Sequence, residues 1–289
     1  MHFQKVSGIL SAGNGINLYR GCTHGCIYCD SRSKCYGMEH DFTDIAVKEN
    51  ALTLLESALQ KKRRRCMIAT GSMCDPYMPA ERELQYTRKA LALIAQYGFG
   101  WTVITKSDLI LRDFELMQRI HTQTKCVVQM TLTTADDSLC RILEPHVCPT
   151  SRRAEVLRIF RDAGIPTVVW LCPILPFIND TAENISAILE MCADAGVYGV
   201  VCFDMGLTLR EGNREYFYDA LDRFFPDLKQ QYIRRYGNAY IVNSPNHIKL
   251  MQLFHETCEK YRIVHDNDAI FRYLSEFEDR TEGEQLRLF

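Results

Sequence analysis

The chain has 289 residues, 47% apolar and 24% charged, with 34 basic against 36 acidic side chains and a formal net charge of −2. That length suits one large domain with ample core, and the near-neutral balance excludes a global positive field that would gather nucleic acid. Thirteen cysteines, an odd count with Cys126, Cys172 and Cys202 inside apolar strand-like runs, fit reduced thiols rather than a secreted disulfide framework. The N-terminal residues lack an apolar core of signal-peptide length, and no apolar run is long enough to span a bilayer. A cytoplasmic protein without membrane contact is expected.

A short strand-like run, Asn17-Leu18-Tyr19-Arg20, leads through Gly21 into Cys22, Cys26 and Cys29, spaced C-x3-C-x2-C. Gly21 and Gly25 let the loop turn tightly enough to aim three side chains at one centre. Three thiolates can hold three irons of a [4Fe–4S] cube and leave the fourth iron without a protein ligand. An open metal position is the mark of a catalytic site. The other reading is a zinc knuckle with His24 or Cys35 as fourth ligand, although tetrahedral zinc sites prefer paired C-x2-C units.

Helical and strand patterns alternate after the loop. Residues 47–64 read as a helix, with Ala51, Leu54, Leu55, Ala58 and Leu59 at helical spacing, and 66–70 as a buried strand. A helix over 81–97 closes at Gly98, a strand covers 101–105, a helix 109–121 and a strand 126–131. Helical segments fill 137–163 with a break between Pro145 and Pro149. A strand over 167–171 precedes a helix that starts at Asp180-Thr181-Ala182-Glu183, and the sixth strand covers 198–203. Six alternations predict an α/β fold with parallel strands, best read as a partial (β/α)6 barrel, with a doubly wound open sheet as runner-up. From residue 210 the pattern is mostly helical, over 213–225, 227–236, 246–262 and 268–278, with a strand or loop at 236–242. The expected organisation is a barrel over 1–209, a helical C-terminal extension over 210–278, and a polar linker with a terminal peptide over 279–289.

Catalytic groups of parallel barrels gather at the C-terminal ends of strands. Those ends here carry Gly71 to Tyr77, Thr105-Lys106-Ser107, the alternating Gln129, Thr131 and Thr133, Cys172-Pro173 and Asp204. The basic run Lys61 to Arg65 reads as a solvated helix end or a nucleic-acid contact. His121, His146, His247, His255 and His265 show no metal-ligand spacing and read as structural or surface residues.

The cysteine motif, with aromatic Tyr28 before its third cysteine, resembles the cluster signature of the radical S-adenosylmethionine (SAM) enzymes. Tyr-Arg-Gly-Cys at 19–22, Ser-x-x-Asp at 72–75 and Thr-Lys-Ser at 105–107 resemble the spore photoproduct lyase-like branch, over about residues 8 to 206. The resemblance implies a [4Fe–4S] cluster on Cys22, Cys26 and Cys29 and reductive cleavage of SAM to a 5′-deoxyadenosyl radical. It places Tyr28 near the adenine, Asp75, Lys106 and Thr131 in contact with SAM, and a flavodoxin or ferredoxin as electron donor. It also implies DNA lesion repair, with a small molecule, peptide or RNA as the other substrate class. Three departures stand out. Only 21 residues precede Cys22 here, where the lyase has a substantial segment. Asp30 stands where that lyase has an aromatic residue. Ser72 stands in place of its hydrogen-donating cysteine, so Cys74, two residues on, is the candidate donor. Gln285, Leu286, Leu288 and Phe289 are similar to the peptide by which bacterial repair proteins dock on the sliding clamp, with apolar anchors for a partner's groove.

Overall fold

In the computed structural model, which describes residues 1–71 and 73–281, the chain opens with strands β1 (His2–Gln4), β2 (Gly15–Ile16), β3 (Tyr19–Arg20) and β4 (Ala46–Lys48). Next come α1 (Ala51–Lys61), β5 (Met67–Thr70), α2 (Glu81–Leu84), α3 (Tyr86–Gln96), β6 (Gly100–Thr105), α4 (Phe114–Gln123) and β7 (Cys126–Thr131). They are followed by α5 (Asp137–Leu143), α6 (Thr150–Asp162), β8 (Thr167–Trp170), α7 (Ala182–Asp194) and β9 (Gly199–Val201). The remainder comprises β10 (Gly206–Thr208), α8 (Asn213–Phe224), α9 (Leu228–Tyr236), β11 (Ile241–Asn243), α10 (His247–Tyr261) and α11 (Asn267–Ser275). Ser72 and the peptide Gln285, Leu286, Leu288 and Phe289 lie outside the described residues.

Strands β2-β5-β6-β7-β8-β9 form one parallel sheet in chain order. A doubly wound sheet reverses its order at a switch point. This sheet never reverses, and its edge strands β2 and β9 do not pair with each other. The partial barrel is therefore the fold. Because strand side chains alternate, Val103, Val128, Met130 and Val169 face the helices and belong to the large core. Thr102, Gln129, Thr131 and Trp170 face the lumen.

Two expectations at the N-terminal end fail. The run before the cysteines does not supply the first barrel strand; Gly15 and Ile16 do, paired with Ala69 and Thr70. Tyr19 and Arg20 instead pair antiparallel with Val47 and Ala46, in a separate sheet of order β1-β4-β3. Val47 is thus a central strand residue and not the start of a helix. Buried Ala46 and Val47 fit either period when read alone, and pairing on both sides decides between them.

The helix expected over 81–97 is broken at Gln85, where φ is +54°. The buried Glu81 carboxylate accepts from the Thr87 N–H at 3.1 Å and the Arg88 N–H at 3.3 Å, so the end of one helix caps the next. It also bonds the Tyr19 hydroxyl and takes Arg112 at 2.8 Å. The helix over 109–121 begins as a 3-10 turn, Asp108–Asp113.

Residues beyond β9 pack on the barrel at separate places. Phe217, Leu221 and Tyr232 of α8 and α9 share a core with Cys26, Ile27 and Tyr28. Ile270 and Leu274 of α11 share one with Val127, Val168 and Val201, lumen residues of three strands. Helix α11 thereby fills the lower end of the barrel. The polar stretch after it is tied to the same end: the Lys125 ammonium donates to the Tyr273 carbonyl at 2.8 Å and pairs with Glu278 at 3.0 Å. The Arg280 N–H donates to the Gln123 carbonyl at 3.0 Å. The basic run 61–65 also lies here, between α1 and the start of β5.

A plug of this kind is part of the barrel core. Ile270→Ala should therefore lower the stability of the whole barrel by about 2–4 kcal/mol, read as one lowered denaturant midpoint by circular dichroism. An unchanged midpoint would show α11 to be a dispensable appendage.

Candidate active site

The cysteine loop takes its shape from the chain around it. Gly21 has φ +89°, and a Cβ there would lie 2.5 Å from the Phe42 carbonyl oxygen, which also accepts the Cys22 N–H at 3.0 Å. Gly25 has φ +72°, and a Cβ there would sit 3.1 Å from His146 and Pro145. The His146 N–H donates to the His24 carbonyl at 3.1 Å and the Ile27 N–H to the Leu143 carbonyl at 2.9 Å, so the segment after α5 holds the loop from outside. Any side chain at either glycine would displace the loop.

Cys22, Cys26 and Cys29 line the rim of a cavity of about 400 Å³ that runs down the barrel lumen. Cys74, Asp75, Lys106 and Thr131 share its wall, with Gln129, Trp170, Phe271 and Leu274 deeper in. The sequence-expected residues are therefore gathered in one place, except Tyr28, which does not line the cavity. Its ring packs with the α8 and α9 core, and its hydroxyl bonds the Glu144 carboxylate.

The spread of the sulfurs tests the two metal readings. Among the described residues, no three His, Cys, Asp or Glu donors at this rim come within 4.8 Å of one another. Two thiolates on one tetrahedral zinc sit roughly 3.8 Å apart. Cys22, Cys26 and Cys29 are thus too far apart for a single ion, with or without His24, and Cys35 is exposed beside Arg210. The donor set fits a multi-iron cluster, which takes each thiolate on a different iron. Burial pushes the Cys22 thiol up to about 11, aided by Asp75, and holds Cys26 well above the ordinary thiol range despite Lys106. These side chains stay protonated until a metal displaces the proton.

Asp75 lines the cavity with both oxygens engaged by the protein. Its Oδ1 accepts from the Tyr77 N–H at 2.8 Å and the Thr105 hydroxyl at 2.7 Å. Its Oδ2 accepts from the Lys106 N–H at 2.8 Å and lies 3.1 Å from His24 Nε2. A carboxylate has about four acceptor positions; three take hydrogen bonds inside the protein, and the His24 ring lies beside the fourth. Burial opposes ionisation, yet His24, Thr105 and the Lys106 amide bring this carboxyl down to about 2. Asp75 is a fixed anion that joins the cysteine loop to the ends of β5 and β6.

Lys106 lies half-buried on the other side of the same amide, its ammonium 5.9 Å from the Tyr28 ring centroid. Burial works against its charge, and Cys26, Glu144 and Asp75 outweigh it, raising the pKa. Glu144 is a second buried anion, bonded to Tyr28 and to the buried Arg153. Arg153 also donates to the Thr131 carbonyl at 2.8 Å and the Cys148 carbonyl at 2.9 Å. Cys74 donates its S–H to the Tyr19 carbonyl at 3.3 Å. Strand β5 ends at Thr70, so a shared strand face is not what turns Cys74 toward the cavity. The loop after the strand does that.

Glu144 and Arg153 escape sequence reading, and His24 enters it only as a candidate zinc ligand, whereas in the structure it faces Asp75. Glu144 and Arg153 had no signal, because they sit in separate helical segments that meet only in the fold.

The sequence profile of the Radical SAM superfamily matches residues 16–192. An uncharacterised protein of Mycobacterium tuberculosis is 30% identical over 258 residues, covering 87% of this chain and 75% of its own length. Another, of Methanocaldococcus jannaschii, is 30% identical over 169 residues, 57% of this chain and 61% of its own. Among solved structures, a variant of spore photoproduct lyase aligns with a TM-score of 0.65 at 13% identity, covering 91% of this chain and 80% of that one. A radical S-adenosylmethionine methyltransferase from Kitasatospora setae aligns at 0.50 and 15% identity, over 68% of this chain and 36% of its own. The matched profile spans more than half of the chain, so the protein belongs to the radical SAM superfamily, an enzyme that uses a [4Fe–4S] cluster and S-adenosylmethionine on a fold like that of spore photoproduct lyase.

Proposed function

We propose that this enzyme acts on damaged DNA, removing or reversing a pyrimidine lesion in the manner of a lyase. The observation that carries the reading is an aromatic wall below the cysteine rim. Trp170 and Phe271 line the cavity, and Phe203, 60% exposed at the end of β9, lies against both with ring centroids 6.0 and 6.1 Å away. Flat rings stack on such a wall, at roughly 1–3 kcal/mol per base. One structural neighbour is a spore photoproduct lyase with a bound dinucleoside spore photoproduct, which adds support through the shared fold.

In this reading Cys22, Cys26 and Cys29 hold the cluster, and an electron donor such as a flavodoxin or ferredoxin reduces it. When bound, cluster and SAM supply a hydrogen-abstracting organic radical. Lys106 offers its ammonium to the SAM carboxylate, and Thr131 borders the cofactor from the facing strand. Asp75 positions Lys106 through its amide and faces the cysteine loop at His24. Tyr28, locked by Glu144, packs beneath the loop and keeps Cys29 in register. Cys74 returns a hydrogen atom to the product radical, and the thiyl radical left behind is restored by one electron from the same donor and one proton; burial, the largest cause, keeps its thiol protonated, the form that carries the atom.

A second reading, a substrate other than DNA, rests on charge. The net charge is −2, and the basic run 61–65 sits at the opposite end of β5 from Asp75. Binding to DNA by phosphate neutralisation would need basic residues near the rim.

Three outcomes are expected. Anaerobically prepared Cys26→Ala should lose the iron–sulfur absorption and all SAM cleavage, while Cys35→Ala keeps both; full cluster content in the first variant would remove the triad from its role. The intact enzyme, given reductant, SAM and oligonucleotides bearing single pyrimidine lesions, should convert one lesion class with 5′-deoxyadenosine released in step. Absence of turnover on every lesion, with SAM cleavage intact, would favour the second reading. Cys74→Ala should still release 5′-deoxyadenosine but divert product to adducts; an unaltered product and rate would reduce Cys74 to packing.

A further inference from the structure

Away from the barrel, three side chains converge at the edge of the three-stranded sheet. His2 of β1, and His40 and Asp44 of the loop leading into β4, each bring one donor atom within 4.8 Å of the other two. Among the described residues no other group of His, Cys, Asp and Glu does so. His2 Nδ1 lies 2.9 Å from Asp44 Oδ2. That contact is a hydrogen bond in which Nδ1 carries the proton; an ion entering between the two displaces that proton and opens the pair by a few tenths of an ångström, to the roughly 3.3 Å of two ligands on a tetrahedral zinc.

The orientation of the other groups points the same way. His40 Nδ1 lies 2.9 Å from the Asp41 carbonyl oxygen. A carbonyl can only accept, so Nδ1 carries the proton and Nε2 keeps a free lone pair. Histidines that ligate metals are oriented by this kind of bond from the far nitrogen. Asp44 Oδ1 is held 2.6 Å from the Met1 ammonium, which leaves Oδ2 to face the imidazoles. The two rings stand edge to face, 4.8 Å between centroids. All three residues are partly exposed, so an ion reaches them from solvent.

We propose that His2, His40 and Asp44 form a binding site for a divalent metal ion of the zinc class, with water completing the shell. Two imidazoles and a carboxylate are ordinary zinc donors. The site's effect is mechanical. It ties β1 to the loop that carries Phe42, whose carbonyl accepts the Cys22 N–H at 3.0 Å and occupies the space a side chain at Gly21 would need. The ion clamps from behind the turn that presents the first rim cysteine.

The test uses cluster-loaded protein, so that the rim thiols are already occupied, dialysed anaerobically against zinc chloride and then analysed for metal. The wild type should retain one zinc per chain. Cobalt(II) in its place should give visible d–d absorption without thiolate-to-cobalt charge transfer, since the donors are nitrogen and oxygen. His40→Ala, and Asp44→Asn as a second variant, should each bind zinc at least about tenfold more weakly, with iron content unchanged. No zinc on the wild type, equal zinc on both variants, a thiolate charge-transfer band, or parallel loss of zinc and iron in both variants would each overturn the proposal.

Discussion

The carboxylate of Asp75 is bonded to three parts of the chain at once: His24 in the cysteine loop, Tyr77 just beyond β5, and Thr105 with Lys106 at the end of β6. Hydrogen bonds to a charged group contribute about 1.5–3 kcal/mol each. Removing that charge from water costs several kcal/mol, so the knot adds little net stability. What it gains is position. The loop that carries the rim thiols cannot shift along the barrel axis without pulling His24 off a buried carboxylate, and the Lys106 amide cannot shift without breaking its bond to the same group.

The second buried anion works from the other side of the loop. Glu144 joins Tyr28, one residue before Cys29, to Arg153, and Arg153 reaches the Thr131 carbonyl on the lumen face of β7. Taking away either member would leave an uncompensated buried charge, a loss of roughly 3–5 kcal/mol. Tyr28 therefore belongs to the frame of the site. Its hydroxyl sets the register of the third cysteine, and its ring closes the core formed with α8 and α9. The two anions together surround Lys106 with negative charge, which is why a half-buried ammonium there stays protonated.

Below the rim the barrel is closed by apolar packing. Ile270 and Leu274 meet lumen valines from three strands, and Lys125 and Arg280 fasten the segment after α11 to the same end. A cavity with a sealed floor and one aromatic side suits radical chemistry, since it excludes water and limits where a substrate ring can lie. Gln129, bonded to Thr102 and to the Trp170 indole, fixes the tilt of that aromatic side.

The sequence by itself determined the parallel α/β class, since buried strand runs alternate with amphipathic helices, and five of the six expected strands lie within a few residues of where their patterns put them; strand order then chose the partial barrel over a doubly wound sheet. It determined which residues form the rim, because C-x3-C-x2-C with glycines at 21 and 25 is a local motif, whereas the loop takes its shape from distant Phe42, Leu143 and His146. Tertiary structure decided everything that depended on pairing or on buried charge. Ala46 and Val47 became strand because β1 and β3 flank them. Asp75 turned inward because Thr105 and two amides bond it and His24 faces it, and Glu144 found Arg153, nine positions further along the chain. Hydrophobic periodicity is written along the chain, whereas the partners of a buried ion are set by which segments the fold brings together.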